Sequence, residues 1–573
     1  MDRQPPRITS DEIDLYVRTY YSLLRSSGEV RVRGFEEAHI YSNTSLHSGA
    51  RDLVPDVAAF GYSAARLPAC MPHVRLVVMG QSHEMFEAAG FDVTNWRRVR
   101  TRGRRRPLRW DGGENLAGFV TSTSDIDDLV PITTGWQIEW NKMHRALSQS
   151  AIGKQLAEAP PDAPITVDLD ELAAALGLDA HAVEQLRAAF GESWDFGLRE
   201  MARREADLSF RLLAGSYSQY QRAAQRWWGE IEPTYLQETA PRRRPVYFVS
   251  SNTHSLSNLL GGYAVAHRQQ IIDFVKRRNP ENLAPALEHA MQRGDEAETS
   301  AIAYYLLREL IHAEDKQTEV QQFDAESGIV TIESPGKIDV SAQQIELKRL
   351  IPERMDPRLR MDGLERLRDS DAVILNIDYP LGMAAYHHLS RLGQGVGELR
   401  GVYVMGKAAT LNGRVGDAMI SSVVHDEHSR NTYLFRNCFS AADVQPWLRE
   451  GVVIDNQKAL TVLGTFQQNR EYMRSYYSSG YTVLEMEAGP YLSALFELAN
   501  PNRHPRGEIV HLSNQMPFDV GVLHYASDTP YSRRQSLLSK SLSYFGVEST
   551  YACAIGIVRR ILQNELQLLG RAG

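Results

Sequence analysis

Three features of the sequence predict an α/β protein. Over roughly the last 200 residues, strand-like runs alternate with helical ones, the pattern of a mixed, largely parallel central sheet. The first part mixes strand and helix signals and reads as an α+β N-terminal domain. Between them lies a stretch with helical spacing alone. A chain of 573 residues exceeds one ordinary core. The expected division is an N-terminal domain at 1–150, a helical linker or dimerisation segment at 151–240, and a catalytic domain at 241–573.

Composition narrows the class. A net charge of −8 exerts no pull toward nucleic acid or an anionic membrane. No apolar run approaches the roughly 18–20 residues of a membrane span, and the opening "MDRQPPRITSDEID" lacks the apolar core of a secretory leader. Cys70, Cys438 and Cys553 lie far apart, without metal-ligand spacing. They read as reduced thiols of a cytoplasmic protein with no metal and no cofactor.

"RLVVMGQSHEMFEAAGF" (75–91) reads as a strand, a glycine turn and an amphipathic helix. "WRRVRTRGRRRPLRW" (96–110) follows, with eight arginines between two tryptophans. It reads first as a solvated loop or hairpin, with a grip on nucleic-acid phosphates as the alternative. The acidic, aromatic segment 122–147 offsets it. After the proline-rich "APPDAPITVD" come helices around Gly177. They lack the basic second helix of a DNA-binding pair, so packing or homo-oligomer formation is expected.

Beyond "PRRRP" (241–245), "VYFVSSNTHSLSNLL" supplies a strand, a polar loop and a helix. "DAVILNIDY", "GVYVMG", "GDAMISSVVHD", "TVLEMEAG" and "LHYASD" are further strands, each running toward a helix or loop. In such sheets ligands bind beyond the carboxyl ends of the strands. Polar clusters fall there at Ser250–Ser255, Gly406–Thr410, Glu485–Glu487 and Ser527–Asp528.

Taken in order, "VYVMGKAATLNGRVGDAMISSVV", "LGTFQQNREYMRSYYSSGYTVLEMEAGPYLSAL" and "YASDTP" resemble the nucleoside phosphorylase and nucleosidase superfamily. The resemblance covers residues 370–565 well and 245–265 weakly, and is closest in flavour to AMP nucleosidases. It implies a phosphorylase-like α/β domain that cleaves the N-glycosidic bond of a purine nucleoside or nucleotide. It further implies that Glu487 grips the ribose hydroxyls, Met486 packs on the sugar and Phe466 stacks on the base. Gly406, Lys407 and Ala408 would form the base loop, and Asp528, oriented by Ser527, would protonate the departing base. Glu485 reads as a neighbour of the ligand-binding glutamate.

The chain departs from the family pattern in three places. No arginine precedes Gly406, Lys407 fills a position usually held by Ser or Thr, and the second glycine of the loop is replaced in Ala408-Ala409. Ser251, Asn252, Thr253 and Lys407 are the candidates for holding a phosphate, from a nucleotide or from the inorganic ion. "VVHDEHSRN" (423–431) concentrates acids and histidines, but neighbours on a strand alternate faces and do not ligate one ion together. Hydrolysis is the leading expectation. Phosphorolysis and a nucleotide-sensing defence effector using the same pocket are the alternatives.

Overall fold

The computed structural model describes residues 11–26, 28–99, 101, 106, 108–160, 165–213, 215–236, 243–513, 515–529 and 546–572. It is a mixed α/β structure with two sheets. The first sheet contains β1 (Val30–Arg31), β2 (Leu76–Gly80), β3 (Arg97–Val99), β4 (Leu108–Trp110), β5 (Asn115–Phe119) and β6 (Ser209–Leu212). Their order is β1-β6-β2-β5-β4-β3, with β2 parallel to both β5 and β6. Helices between residues 151 and 203 bury Leu172, Leu176, Val183, Leu186 and Leu198 in one core with Trp136 and Trp140 of the long helix Thr123–Ser148. Gly177 ends one of them at φ +67°, a left-handed turn suited to glycine. The next helix, Tyr217–Leu236, packs instead on the second half through Trp227 and Trp228.

Of the arginine run, Arg100, Arg102, Arg104 and Arg105 lie outside the described residues. The others have partners within the structure. Arg97 lies over the Trp110 ring, Arg98 pairs with Asp339 at 3.1 Å, and buried Arg106 pairs with Asp125.

The second sheet has eleven strands: β7 (Val246–Ser251), β8 (Ile329–Ile332), β9 (Ala342–Glu346), β10 (Val373–Asp378), β11 (Leu399–Thr410), β12 (Ala418–Asp426), β13 (Thr432–Leu434), β14 (Val453–Thr461), β15 (Tyr481–Glu485), β16 (Ile509–His511) and β17 (Asp519–Asp528). The runs of β10-β7-β11-β17 and of β12-β14-β15 are parallel. The pairs β8/β9, β9/β10, β11/β15, β12/β13 and β12/β17 are antiparallel. β11, β17, β12, β14 and β15 therefore close into a ring, because β17 bridges β11 and β12 while β15 returns to β11. The helix Val547–Ala572 packs along the sheet. Its buried Glu565 accepts from Tyr247, Ser370 and Arg400.

The two halves meet where the chain leaves β14. Residues Thr465–Arg470 insert into the first half, with backbone bonds from Ser45 to Gln468 (2.7 Å) and from Arg470 to Asn43 (3.1 Å). Gln467 donates to Tyr20 at 2.8 Å, and Asn469 to the Ser42 carbonyl at 3.1 Å. Phe466, 1% exposed, seats its ring 5.3 Å from Tyr62, 5.8 Å from His39 and 6.3 Å from His47. Those histidines belong to a buried chain in which His39 meets Tyr16 (3.0 Å) and His47 (2.8 Å), and His47 meets Glu139 (2.7 Å). Phe466→Ala should cost about 3–5 kcal/mol of stability, as large-to-small core changes do. Urea unfolding measures this, and a stability unchanged by the substitution would contradict the packing.

Candidate active site

The strand pairings set the site's frame. β10, β7, β11 and β17 run the same way and end in order at Asp378, Ser251, Gly406–Thr410 and Ser527–Asp528. On the other side of β11, β15 runs antiparallel with Ala409 opposite Leu484, while Ala409 faces Asp528 across β17. The end of β15 and the end of β17 thus flank Ala409 near the end of β11. Two strand spacings of about 4.8 Å each put their backbones about 10 Å apart.

Glu485 and Glu487 have different surroundings. Glu485 is buried and accepts the N–H groups of Glu487 (2.7 Å) and Ala488 (2.6 Å), besides the Thr461 hydroxyl. It caps the helix Ala488–Ala499, and burial raises its carboxyl above the ordinary range. Glu487 is half-buried, and its Oε1 faces the Gly382 N–H at 3.4 Å. Met486, half-buried, packs on the small apolar cluster that contains Leu484, Leu460 and Tyr476.

Asp528 is half-buried at the end of β17. Desolvation raises its carboxyl above the ordinary value, while Arg66 of the first half and Lys407 oppose that rise. Lys407 itself is exposed on β11, and Ala408 is buried. Ser527 Oγ donates to the Ala408 carbonyl at 3.4 Å, joining the two strand ends. Gly406 is buried beside His524 and Tyr379, whose ring atoms a β-carbon there would meet at 3.8 and 3.9 Å.

The polar loop after β7 is occupied with its own structure. Ser251 Oγ donates to Asn376 Oδ1 at 2.8 Å. Asn252 Oδ1 accepts the N–H groups of His254 (3.1 Å) and Ser255 (2.7 Å), capping the helix Ser255–Leu260. Thr253 offers its carbonyl to Gln343 at 2.7 Å. Phe466 has its ring in the core of the first half, as described above, and presents no open face at the strand ends.

The acid-histidine segment splits between faces, as alternation requires. His425 turns to Thr432, at 2.9 Å. Asp426 accepts from the N–H (3.1 Å) and Nδ1 (2.9 Å) of His428 and from the N–H and hydroxyl of Ser429. Burial alone would raise the Asp426 carboxyl, but these partners hold it below its usual value. Glu427 accepts from Tyr476 and from the Leu463 N–H, and burial pushes it up to about 7. His428 resists the cost of burial because Asp426, Asp127 and Glu427 surround it, and its imidazole titrates above its usual value. Among the described residues no group of His, Cys, Asp or Glu has the geometry of a metal site, and no helix is long and apolar enough to cross a membrane.

The first half contributes residues that sequence reasoning missed. Arg66 stacks on the Tyr62 ring, 3.5 Å from its centroid, and its charge opposes the rise of the Asp528 carboxyl. Ser124 meets His428 and the turn at Gly382. Asp127, raised to about 6 by burial, bonds Tyr20. "FGYSAAR" carries no local signal of such a role, and Ser124 reads as one more residue of a capping pattern.

No curated protein matches the chain. Solved structures similar to it include 5′-methylthioadenosine/S-adenosylhomocysteine nucleosidases. That of Colwellia psychrerythraea 34H, in complex with adenine, is 10% identical with a TM-score of 0.29, over 56% of this chain and 96% of that one. That of S. pneumoniae, with a transition-state inhibitor, is 9% identical with a TM-score of 0.28, over 56% and 99%. That of Neisseria meningitidis, in complex with methylthio-immucillin-A, is 10% identical with a TM-score of 0.28, over 55% and 99%. The model of the family of unknown function DUF6909 matches residues 32–563, which is most of the chain, and the protein belongs to that family.

Proposed function

We propose that this protein is an N-ribosyl hydrolase acting on a purine nucleoside or nucleotide. The observation that carries the reading is that two strand ends bearing carboxylates, β15 leading to Glu487 and β17 ending at Asp528, lie on opposite sides of Ala409 in β11. Cleavage of the bond between C1′ and the base nitrogen develops positive charge on the ribose and negative charge on the base. Glu487 would bind the ribose hydroxyls and favour the cationic transition state, with Met486 against the sugar. Asp528 would give its proton to the departing base, which takes the bonding electron pair, while water supplies oxygen to C1′. Lys407 and Arg66 bring two cations to the same edge, which favours a substrate carrying phosphate, as in the AMP nucleosidases that the sequence resembles.

Product analysis by mass, with adenosine and adenosine 5′-monophosphate as probes, tests the reading. Free adenine with ribose or ribose 5-phosphate, at a rate indifferent to added phosphate, is the expected result. Ribose 1-phosphate in a phosphate-dependent reaction would identify phosphorolysis instead. Asp528→Asn should cripple release of a purine, which needs the proton, and spare a nitrophenyl riboside, which departs without one. Equal damage to both would make Asp528 a binding residue.

Arg66 gives a pH test with a defined sign. A nearby cation favours the ionised carboxylate and so lowers its pKa. Arg66→Ala removes that cation, so the Asp528 carboxyl should hold its proton to higher pH. The alkaline limb of the kcat/KM profile should then move upward. A limb that stays in place, or moves down, would mean that another group donates the proton.

A further inference from the structure

The first half reaches the turn beside Glu487 through the start of the helix Thr123–Ser148. Ser124 is fully buried there, and its Oγ accepts the Met383 N–H at 2.9 Å. Two residues earlier, Ser122 Oγ donates to the Leu381 carbonyl at 3.3 Å. Between these anchors Gly382 takes a left-handed φ of +52°, and a β-carbon on it would overlap the Ser124 hydroxyl. The opposite side of this turn presents the Gly382 N–H to Glu487 Oε1, at 3.4 Å.

Ser124 is held in turn from the second half. His428 Nε2 lies 3.5 Å from its Oγ, and Nδ1 lies 2.9 Å from Asp426. Asp426 accepts from four groups, so Nδ1 is the donor in that pair. Nε2 then faces the Ser124 oxygen, as acceptor when the ring is neutral and as donor when it is charged. A Ser124 lone pair stays available for the Met383 N–H.

We propose that Ser124 is a positioning residue for Glu487: it locks the Leu381–Met383 turn whose Gly382 N–H orients that carboxylate, so docking of the first half completes the site. The inference rests on the assignment of Glu487 to the ribose. It makes the two halves of the chain one catalytic unit. Ser124 touches no substrate and acts through a backbone N–H.

A double-mutant cycle on the full chain tests it, reading adenine release from adenosine and from adenosine 5′-monophosphate. Glu487→Gln should lower kcat about 10²–10³-fold. Ser124→Ala should lower it about 10–100-fold, the scale of a small misplacement of a reacting group. In the Glu487→Gln background, Ser124→Ala should add nothing, because its effect passes through the missing carboxylate. A purely structural serine would lower both backgrounds alike, and additive losses overturn the proposal, as does wild-type turnover in Ser124→Ala. Should Ser124→Ala fail to fold by thermal melting, His428→Asn carries the same cycle, because it leaves Ser124 in place without its imidazole partner. Wild-type turnover in Glu487→Gln, or no adenine from either probe, overturns the reading of the site and this inference with it. An impaired Glu487→Gln with additive Ser124→Ala removes the positioning role alone.

Discussion

The seating of Thr465–Arg470 in the first half is the contact on which the rest of the structure depends. Fully burying one phenylalanine contributes about 1.5–3 kcal/mol, and Phe466 is joined by backbone and side-chain hydrogen bonds on both flanks. The segment lies between β14 and the helix Arg470–Ser478, which leads directly into β15. Fixing it fixes the approach of the strand that ends at Glu485. The same docking sets Ser124 on the Gly382 turn and adds the charge of Arg66 to the electrostatic surroundings of Asp528. Neither half alone assembles that edge.

The edge also concentrates negative charge, and the fold handles each carboxylate differently. Asp426, Thr461 and Glu485 end three parallel strands in register. Glu485 spends its oxygens on a helix start and a hydroxyl, and Asp426 on a tight turn with His428 and Ser429. Buried acceptors satisfied in this way stabilise local geometry instead of facing a ligand. Glu487 stands two residues past the strand; its N–H joins that web through Glu485, while its half-buried carboxylate faces the Gly382 turn. This separation gives a physical basis for distinguishing two glutamates that the sequence sets side by side.

Alternation and loop composition made the strands of the second half legible: "DAVILNIDY", "GVYVMG" and "LHYASD" fall on β10, β11 and β17. Alternation with helices anticipated the parallel runs, but a period of two does not say which strands lie side by side, and so the ring closure escapes a linear reading. The pairing of β2 with β6 joins residues separated by some 130 positions, a contact that no local pattern encodes. Phe466 shows the same limit at the site. An aromatic after a strand end suits a base or a core equally, and its partners His39, His47 and Tyr62 lie about 400 residues earlier. Arg106 reads as one of a solvated run, yet its partner Asp125 makes it a buried ion pair.

Closure of β11, β17, β12, β14 and β15 has a consequence for how molecules of this protein meet one another. A strand within a closed ring has both of its hydrogen-bonding sides filled, so it offers no template for a foreign strand. Among the described residues, the second sheet keeps open flanks at β16, with three residues, and at β8, with four. Short flanks of that kind hold few unpaired backbone groups. The longest strands of the chain are thereby shielded from the intermolecular pairing that seeds aggregation.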